Sequence, residues 1–193
     1  DGTTDITRTM AIGAPDPDAR ACYTRVLQGM IAISRARWPQ GLAGRDLDAL
    51  ARIKLWQAGL DYDHGTGHGV GAYLSVHEGP QRLSRQSHEP LLPGMILSNE
   101  PGYYRESAFG IRIENLVVVR KADALAGADT HRAMLDFETL TFVPLDRQLI
   151  DTALLTAEER DWINQYHANT RDALRGRVSP DALVWLERAT EPL

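Results

Sequence analysis

The stretch that indicates the fold most directly is FGIRIENLVVV, residues 109–119. Apolar and charged residues alternate in its first half, so Ile111 and Ile113 lie on one face of a strand. Arg112 and Glu114 lie on the opposite face. A carboxylate within so apolar a run must be paired or bind a metal ion, because an unpaired buried charge is costly. For this stretch taken alone, an ion pair between Arg112 and Glu114 is the favoured explanation.

The same β pattern extends over residues 64–144, where glycine and proline separate short apolar runs. Residues 1–12, rich in Thr and Ile, also predict a strand. Two amphipathic helices, which we interpret as scaffold, are predicted between these segments. The first carries the apolar residues Cys22, Val26, Met30 and Ile33. The second runs from Asp46 to Gly59 and buries Leu47, Leu50 and either Ile53 or the stem of Lys54.

Two further helices are predicted near the end of the chain. A capping box at Thr156 and Glu159 opens the first, and Ser179 followed by Pro180 opens the second. We therefore predict an α/β domain over residues 1–145 and a helical extension over residues 146–193. The opening DGTTDITRT begins a β segment without a cap, an initiator Met or a polar lead-in, so we expect the start of this domain to be missing.

Composition narrows the class of partner. A chain of 193 residues with 43% hydrophobic content fits one domain with a small appendage. Its 21 Lys and Arg and 26 Asp and Glu form no long run of either sign, which gives no reason to expect nucleic acid or an anionic membrane as partner. No apolar stretch reaches the roughly 18 residues of a membrane span. One cysteine, Cys22, agrees with a reducing compartment, so we expect a cytoplasmic protein that binds a small ligand or another protein.

The segment HGTGHGVG, residues 64–71, places two histidines in a frame of glycines. Four glycines in eight residues make a helix improbable, and they leave the backbone bare for a ligand, a metal ion or a substrate chain. A single histidine in such a place is more often a hydrogen-bonded structural residue. Here His64 and His68 occur as a pair, and a third histidine, His77, follows in VHEGP.

Two further carboxylates lie in β-like segments. Glu100 ends the apolar run of PGMILSNEPGYY, residues 93–104, and Pro101 holds it extended. Asp5 shares one face of the first segment with two threonines, where a solvated edge residue is the alternative. Together with histidine, these carboxylates form a donor set that suits Mn²⁺, Co²⁺ or Zn²⁺ better than thiolate-bound zinc or all-oxygen calcium sites.

The motifs GTTDITRT, HGTGHGVG, VHEGP, PGMILSNEPGYY and GIRIEN, in this order, resemble the proline-specific aminopeptidases of the creatinase and methionine aminopeptidase superfamily, peptidase family M24. The resemblance continues through FETLTFVPLD, residues 137–146, and into DWINQYHANTRDAL, residues 161–174, which is similar to the C-terminal extension of the cytosolic Xaa-Pro aminopeptidase type. It implies the α/β (α+β) pita-bread fold, N-terminally truncated and followed by a helical extension.

The resemblance also implies a site with two divalent metal ions, often Mn²⁺. Asp5 and Glu114 match the ligands that bridge the two ions, and His68 and Glu100 match ligands that hold one of them. The family's remaining Asp ligand and a further histidine correspond to positions before Asp1, so the ligand set expected here is incomplete.

Four residues match the family's catalytic groups. Glu100 is expected to shuttle a proton. His64 and His77 match histidines that hydrogen-bond the peptide carbonyl or the tetrahedral oxyanion. Arg112 is expected to orient Glu114 without itself binding a metal ion.

The activity implied is hydrolysis of the N-terminal Xaa-Pro bond of peptides with proline in second position. A prolidase of the same fold, which cleaves Xaa-Pro dipeptides, is one alternative, and a pita-bread binding module without catalysis is another. We also expect a homodimer formed through the helical extension, although packing against the core explains its apolar residues equally well. Those residues are Trp162, Ile163, Tyr166, Leu183, Trp185 and Leu186.

Overall fold

The computed structural model describes residues 2–73 and 75–193. The α-helices in this part of the chain are α1 (Pro17–Ser34), α2 (Gly44–Trp56), α3 (Ala157–Leu174) and α4 (Pro180–Ala189). The strands are β1 (Arg37–Pro39), β2 (Gly67–Val70), β3 (His77–Leu83), β4 (Ile96–Asn99), β5 (Gly102–Arg105), β6 (Phe109–Arg112), β7 (Asn115–Lys121) and β8 (Met134–Thr139). Two short 3₁₀ helices, Arg147–Leu149 and Thr152–Leu154, lie between β8 and α3.

Six of the strands form one antiparallel sheet in the order β1-β8-β7-β4-β2-β3. The hairpin of β5 and β6 forms a separate sheet, in which Gly102 lies opposite Arg112. This hairpin is the connection between β4 and β7, which are neighbours in the large sheet. The end of β4 and the start of β7 therefore meet where the hairpin leaves the sheet.

Two buried apolar clusters involve α1, one along most of the helix and the other at its C-terminal end. One joins α1 to α3 through Ile163 and Tyr166 and includes Ile111 of the hairpin. The other joins the end of α1 to α2 and to the large sheet, where Leu97 and Val117 are fully buried. Burying one such side chain contributes about 1.5–3 kcal/mol, so both clusters hold the sheet and helices in fixed register.

The second helix ends near the predicted residue but buries a different face. Gly59 follows it with a φ of 73°, the left-handed conformation that glycine favours. Leu47 is buried as predicted, whereas Leu50 and Ile53 are 41% and 43% exposed, so their predicted burial is wrong. Lys54, the alternative to Ile53, is half-buried. The buried face also carries the charged residues Asp48 and Arg52, whose mutual pairing cannot be predicted from their spacing alone.

The predicted strand at residues 1–12 is also wrong over the residues that the structure describes. Only Thr7 forms a bridge, with Glu114. At Thr9 a side chain takes the place of the backbone partner that a strand would provide. The Arg112 N–H donates to the Thr9 hydroxyl at 3.0 Å rather than to a backbone carbonyl. The segment lies beside the start of β7, and the bridge between Thr7 and Glu114 connects the two.

The helical tail follows its predicted caps. Thr156 and Glu159 form the capping box of α3, and the Ser179 hydroxyl caps α4. Because α3 contributes to the cluster around α1, the tail packs on the core of the preceding residues. The division at residues 145 and 146 stays a prediction.

The glycines of HGTGHGVG have a packing role in addition to the expected one. A Cβ on Gly67 would lie 1.8 Å from the Ser98 carbonyl oxygen, and one on Gly69 would lie 2.1 Å from that of Glu78. At these two positions the absence of a Cβ makes room for a neighbouring strand, and the backbone of both glycines also lines the cavity. The glycines bring β2 close to both of its neighbours, and His68 lies between them.

Candidate metal centre

Four of the expected ligands come together at one place. Asp5, His68 and Glu114 each offer a donor atom within 4.8 Å of the others. The His68 Nε2 atom lies 3.3 Å from an Asp5 oxygen and 3.2 Å from a Glu100 oxygen. These side chains come from the N-terminal segment, from β2 and from the residues that follow β4 and β6.

His68 is oriented by its own strand. Its backbone N–H donates to the Ser98 hydroxyl at 2.9 Å, and its Nδ1–H donates to the Gly69 carbonyl, also at 2.9 Å. The other ring nitrogen, Nε2, faces the carboxylates: burial alone would lower the pKa of His68, but the hydrogen bond from Nε2 to Glu100 and the charges of Glu100 and Asp5 raise it. Once this proton is released, the lone pair of Nε2 faces the same carboxylates. An imidazole whose second nitrogen is held by a carbonyl is the usual arrangement of a metal-binding histidine.

Glu100 is ionised although it is buried. Burial alone disfavours the charged form, but hydrogen bonds with His68 and Ser98 outweigh it and lower the pKa of the Glu100 carboxyl. Arg112 adds a positive charge at 3.2 Å from the second carboxylate oxygen. The backbone N–H of Glu100 donates to the Thr66 carbonyl at 2.8 Å, which fixes the residue where β4 ends.

Compared with Glu100, the Glu114 carboxyl has its pKa shifted in the opposite direction. Burial raises its pKa to about 7, and the negative charges of Glu100 and Asp5 add to the effect, although the Thr7 hydroxyl donates a hydrogen bond to the carboxylate. Three carboxylates and an imidazole nitrogen thus crowd into one place at an electrostatic cost. A divalent cation among them would remove that cost, and the donor types fit such an ion.

Arg112 does not pair with Glu114, contrary to expectation. Its guanidinium contacts Glu100 and donates through Nε to the Tyr104 hydroxyl at 2.8 Å. The reason lies in topology, because Arg112 ends the hairpin strand β6 while Glu114 precedes β7 of the large sheet. Alternation predicts a shared face only within one continuous strand.

Tyr104 is a residue of this site that sequence reasoning missed. Its hydroxyl accepts from Arg112 and donates to His64 Nε2 at 2.9 Å, while His64 Nδ1–H donates to the Gly65 carbonyl at 2.8 Å. Burial lowers the pKa of His64, so its ring is neutral at neutral pH and both nitrogens are occupied.

The sequence feature that could have indicated Tyr104 is the pair of glycines Gly102 and Gly110. A Cβ on Gly102 would lie 2.6 Å from the Tyr104 hydroxyl, and one on Gly110, directly opposite Tyr104 in the hairpin, would lie 3.3 Å from its ring. These two glycines leave room for the ring to lie along the hairpin and reach Arg112.

His77 completes the set of expected residues. It is exposed, and its ring centroid lies 4.1 Å from that of His68 in an edge-to-face arrangement. Over the described part of the chain, no hydrogen bond engages its ring nitrogens. His64, His68, His77, Glu100 and Arg112 all line one cavity of about 710 Å³, a volume that admits a short peptide.

Comparison with known proteins agrees with this geometry. A model of metallopeptidase family M24 matches residues 1–121, and one for the C-terminal region of peptidase_M24 matches residues 133–193. The chain is 48% identical over 195 residues to Aminopeptidase P1 of Lotus japonicus, with 100% of the chain and 30% of that protein covered. It is 50% identical over 202 residues to Aminopeptidase P2 of Arabidopsis thaliana, of which it covers 28%.

Solved structures extend the comparison. The crystal structure of X-prolyl aminopeptidase from Caenorhabditis elegans, a cytosolic enzyme with a di-nuclear active site, matches with a TM-score of 0.92 and 42% identity over 100% of this chain and 32% of that one. The Xaa-Pro dipeptidase from Bacillus anthracis matches with a TM-score of 0.60 and 32% identity over 74% of this chain and 36% of that one. The chain spans about 30% of the length of the curated relatives it matches. These similarities confirm the pita-bread fold.

Proposed function

The chain belongs to metallopeptidase family M24, and on that premise we propose that the complete protein hydrolyses the N-terminal Xaa-Pro bond of peptides in a metal-dependent reaction. The observation that carries the proposal is the convergence of His68 with three carboxylates on one cavity. The relatives named aminopeptidase P and the X-prolyl aminopeptidase structure support the choice of substrate.

Asp5, His68, Glu100 and Glu114 would hold the two divalent ions that we propose as cofactors. We propose Mn²⁺, with Co²⁺ or Zn²⁺ as alternatives, because carboxylate and imidazole donors suit these ions. Divalent ions supply Lewis acidity, which lowers the pKa of water and polarises a peptide carbonyl.

The protein's own groups would handle protons and charge. The ionised Glu100 carboxylate would accept a proton from the attacking water and return it to the departing amine. Arg112 and the Ser98 hydroxyl hold this carboxylate in place. His77 would donate to the developing oxyanion, since its ring has no competing partner in the described structure. His64 would do so only in its other tautomer, with the proton on Nε2, because here its Nδ1–H donates to the Gly65 carbonyl and its Nε2 accepts from Tyr104.

The test is an assay of the complete protein with three substrates, each with and without Mn²⁺. We expect metal-dependent release of the first residue from a tripeptide with proline in second position, and none from a matched tripeptide with alanine there. Cleavage of an Xaa-Pro dipeptide alone would identify a prolidase. Absence of metal-dependent turnover on all three would favour a binding module.

We further propose a cytoplasmic homodimer in which α4 lies at the interface. None of the helices in the described ranges has the length and apolar character needed to cross a membrane. On α4, Val184 and Trp185 are 51% and 54% exposed. The proposed location follows the C. elegans relative, which is described as cytosolic.

Light scattering of the complete protein measures the oligomeric state. We expect the double variant Val184→Ser and Trp185→Ser to be a monomer, because it removes the exposed apolar groups of α4. Leu125→Ser, at a loop residue that is 58% exposed, is the matched control and should leave the mass unchanged. A dimer of unchanged stability in the double variant would place the interface elsewhere.

A further inference from the structure

The buried ion pair on α2 lies directly behind the site. Asp48 and Arg52 are 1% and 3% exposed. Arg52 Nε lies 2.7 Å from one Asp48 oxygen, and Arg52 Nη2 lies 3.3 Å from the other. The pair occupies a helix that the sequence presented as scaffold, and it lies on the face that packs towards the cavity rather than on the solvent face.

Arg52 uses its remaining donors on the segment that carries His64. One terminal nitrogen donates to the Tyr62 carbonyl at 2.7 Å and to an Asp61 oxygen at 2.8 Å. The other donates to the His64 carbonyl at 2.8 Å. The guanidinium plane also lies 3.8 Å from the centroid of the Tyr62 ring. The Arg52 side chain therefore holds three of the residues 61–64 by hydrogen bonds, namely Asp61, Tyr62 and His64.

Asp48 connects the same pair to Glu100. Its carboxylate accepts a hydrogen bond from the Thr66 hydroxyl at 2.7 Å, and that hydroxyl lies 2.6 Å from the Tyr62 hydroxyl. The Thr66 carbonyl in turn accepts the backbone N–H of Glu100 at 2.8 Å. The chain on both sides of Gly65 is thus held to α2.

Stability alone does not explain this arrangement. Replacing a buried ion pair by apolar residues of similar volume is often neutral or stabilising. Here an apolar pair would leave the carbonyls of Tyr62 and His64 without the N–H groups that donate to them, and a carbonyl removed from water without a donor is destabilising. The guanidinium fork matches several acceptors at fixed angles, so it specifies geometry as well as contact.

We propose that Arg52, supported by Asp48, is a positioning residue for the hydrolysis proposed above, on which this inference rests. It holds His64 at the cavity through the backbone, while Asp48 holds Glu100 through Thr66. Neither side chain is proposed to touch the substrate or the metal ions.

The first measurement compares Arg52→Lys with the unchanged protein. A lysine keeps the charge beside Asp48, but a single ammonium cannot reach Asp48 and the carbonyls of Tyr62 and His64 together. We expect kcat to fall by about 10²-fold, the cost of misplacing a catalytic group by about 1 Å, with KM and metal content nearly unchanged. Arg20→Lys is the matched control, since Arg20 donates to the Ile150 carbonyl at 2.8 Å away from the cavity, and kcat should not change.

A double-mutant cycle tests the route through His64. If Arg52 acts through that residue, Arg52→Lys should reduce kcat much less in a His64→Ala background than in the unchanged protein. Full additivity of the two effects would overturn the proposal.

Hydrogen exchange gives a readout that does not depend on turnover. In Arg52→Lys the amides of residues 61–66 should exchange faster, while those of α1 keep their protection. Unchanged exchange in residues 61–66, or a uniform loss of protection over the chain, would overturn the proposal. Failure of the unchanged protein to cleave any substrate would overturn the proposed function, and the exchange comparison would still decide whether Arg52 positions the segment.

Discussion

Glu100→Gln is expected to lower kcat by roughly 10²–10⁴-fold, the range attributed to a general acid or base. The amide keeps the size of the carboxyl group but accepts no proton at neutral pH. The effect should be large because the hydrogen bonds with His68 and Ser98 and the charge of Arg112 hold Glu100 in its ionised, proton-accepting state. Peptide hydrolysis by the complete protein with saturating Mn²⁺ measures it.

Metal content distinguishes the two roles assigned to Glu100. A Glu100→Gln protein that keeps its ions but not its turnover would support the proton role, whereas loss of an ion would place the effect in metal binding. Glu89→Gln, at an exposed glutamate outside the cavity lining, is the matched control and should retain full activity. Full activity in Glu100→Gln would require another base.

His77→Ala is expected to lower kcat by on the order of 10²–10³-fold, the cost of losing one oxyanion donor. The residue is exposed on the cavity and stands edge-on to His68, so removing it should leave the backbone of β3 intact. Metal content should stay unchanged, because no carboxylate of the ligand cluster contacts its ring in the described part of the structure.

The control for His77 is His88→Ala, an exposed histidine that contacts Arg45 and lies outside the cavity lining. It should leave kcat unchanged. If His77→Ala protein instead lost its metal, His77 would belong among the ligands, and the assignment of His68 as the sole histidine ligand among the described residues would fail.

The chemistry of this site could be predicted further than its geometry. Alternation and burial cost indicated that Glu114 needs a partner, and the resemblance carried by the motif order indicated that it shares one with Glu100 and His68. Arg112 was assigned the wrong carboxylate because residues two apart can belong to different sheets. Arg112 and Glu114 separate in this way because the hairpin of β5 and β6 ends between them, and periodicity within one strand does not predict where it ends.

Helix α2 illustrates a second limit. Periodic positions 47, 51 and 55 are apolar and buried, yet the adjoining buried positions are Asp48 and Arg52. A charged pair at this spacing is ordinarily found on a solvent-facing surface. Its burial is favourable here because the carbonyls of Tyr62 and His64 accept hydrogen bonds from Arg52. Tyr104 was missed for a related reason, since its place depends on glycines of two strands that meet only in the folded hairpin.

The close approach at Gly67 and Gly69 bears on how divergent members of such a lineage can be recognised. A side chain at either position would collide with a backbone carbonyl of an adjoining strand, whether or not the protein retains catalysis. Purifying selection for foldability alone would therefore preserve these glycines in a descendant that had become a pseudoenzyme. Within HGTGHGVG, the two glycines would therefore report on the fold, whereas His68 and the carboxylates around it would report on metal binding.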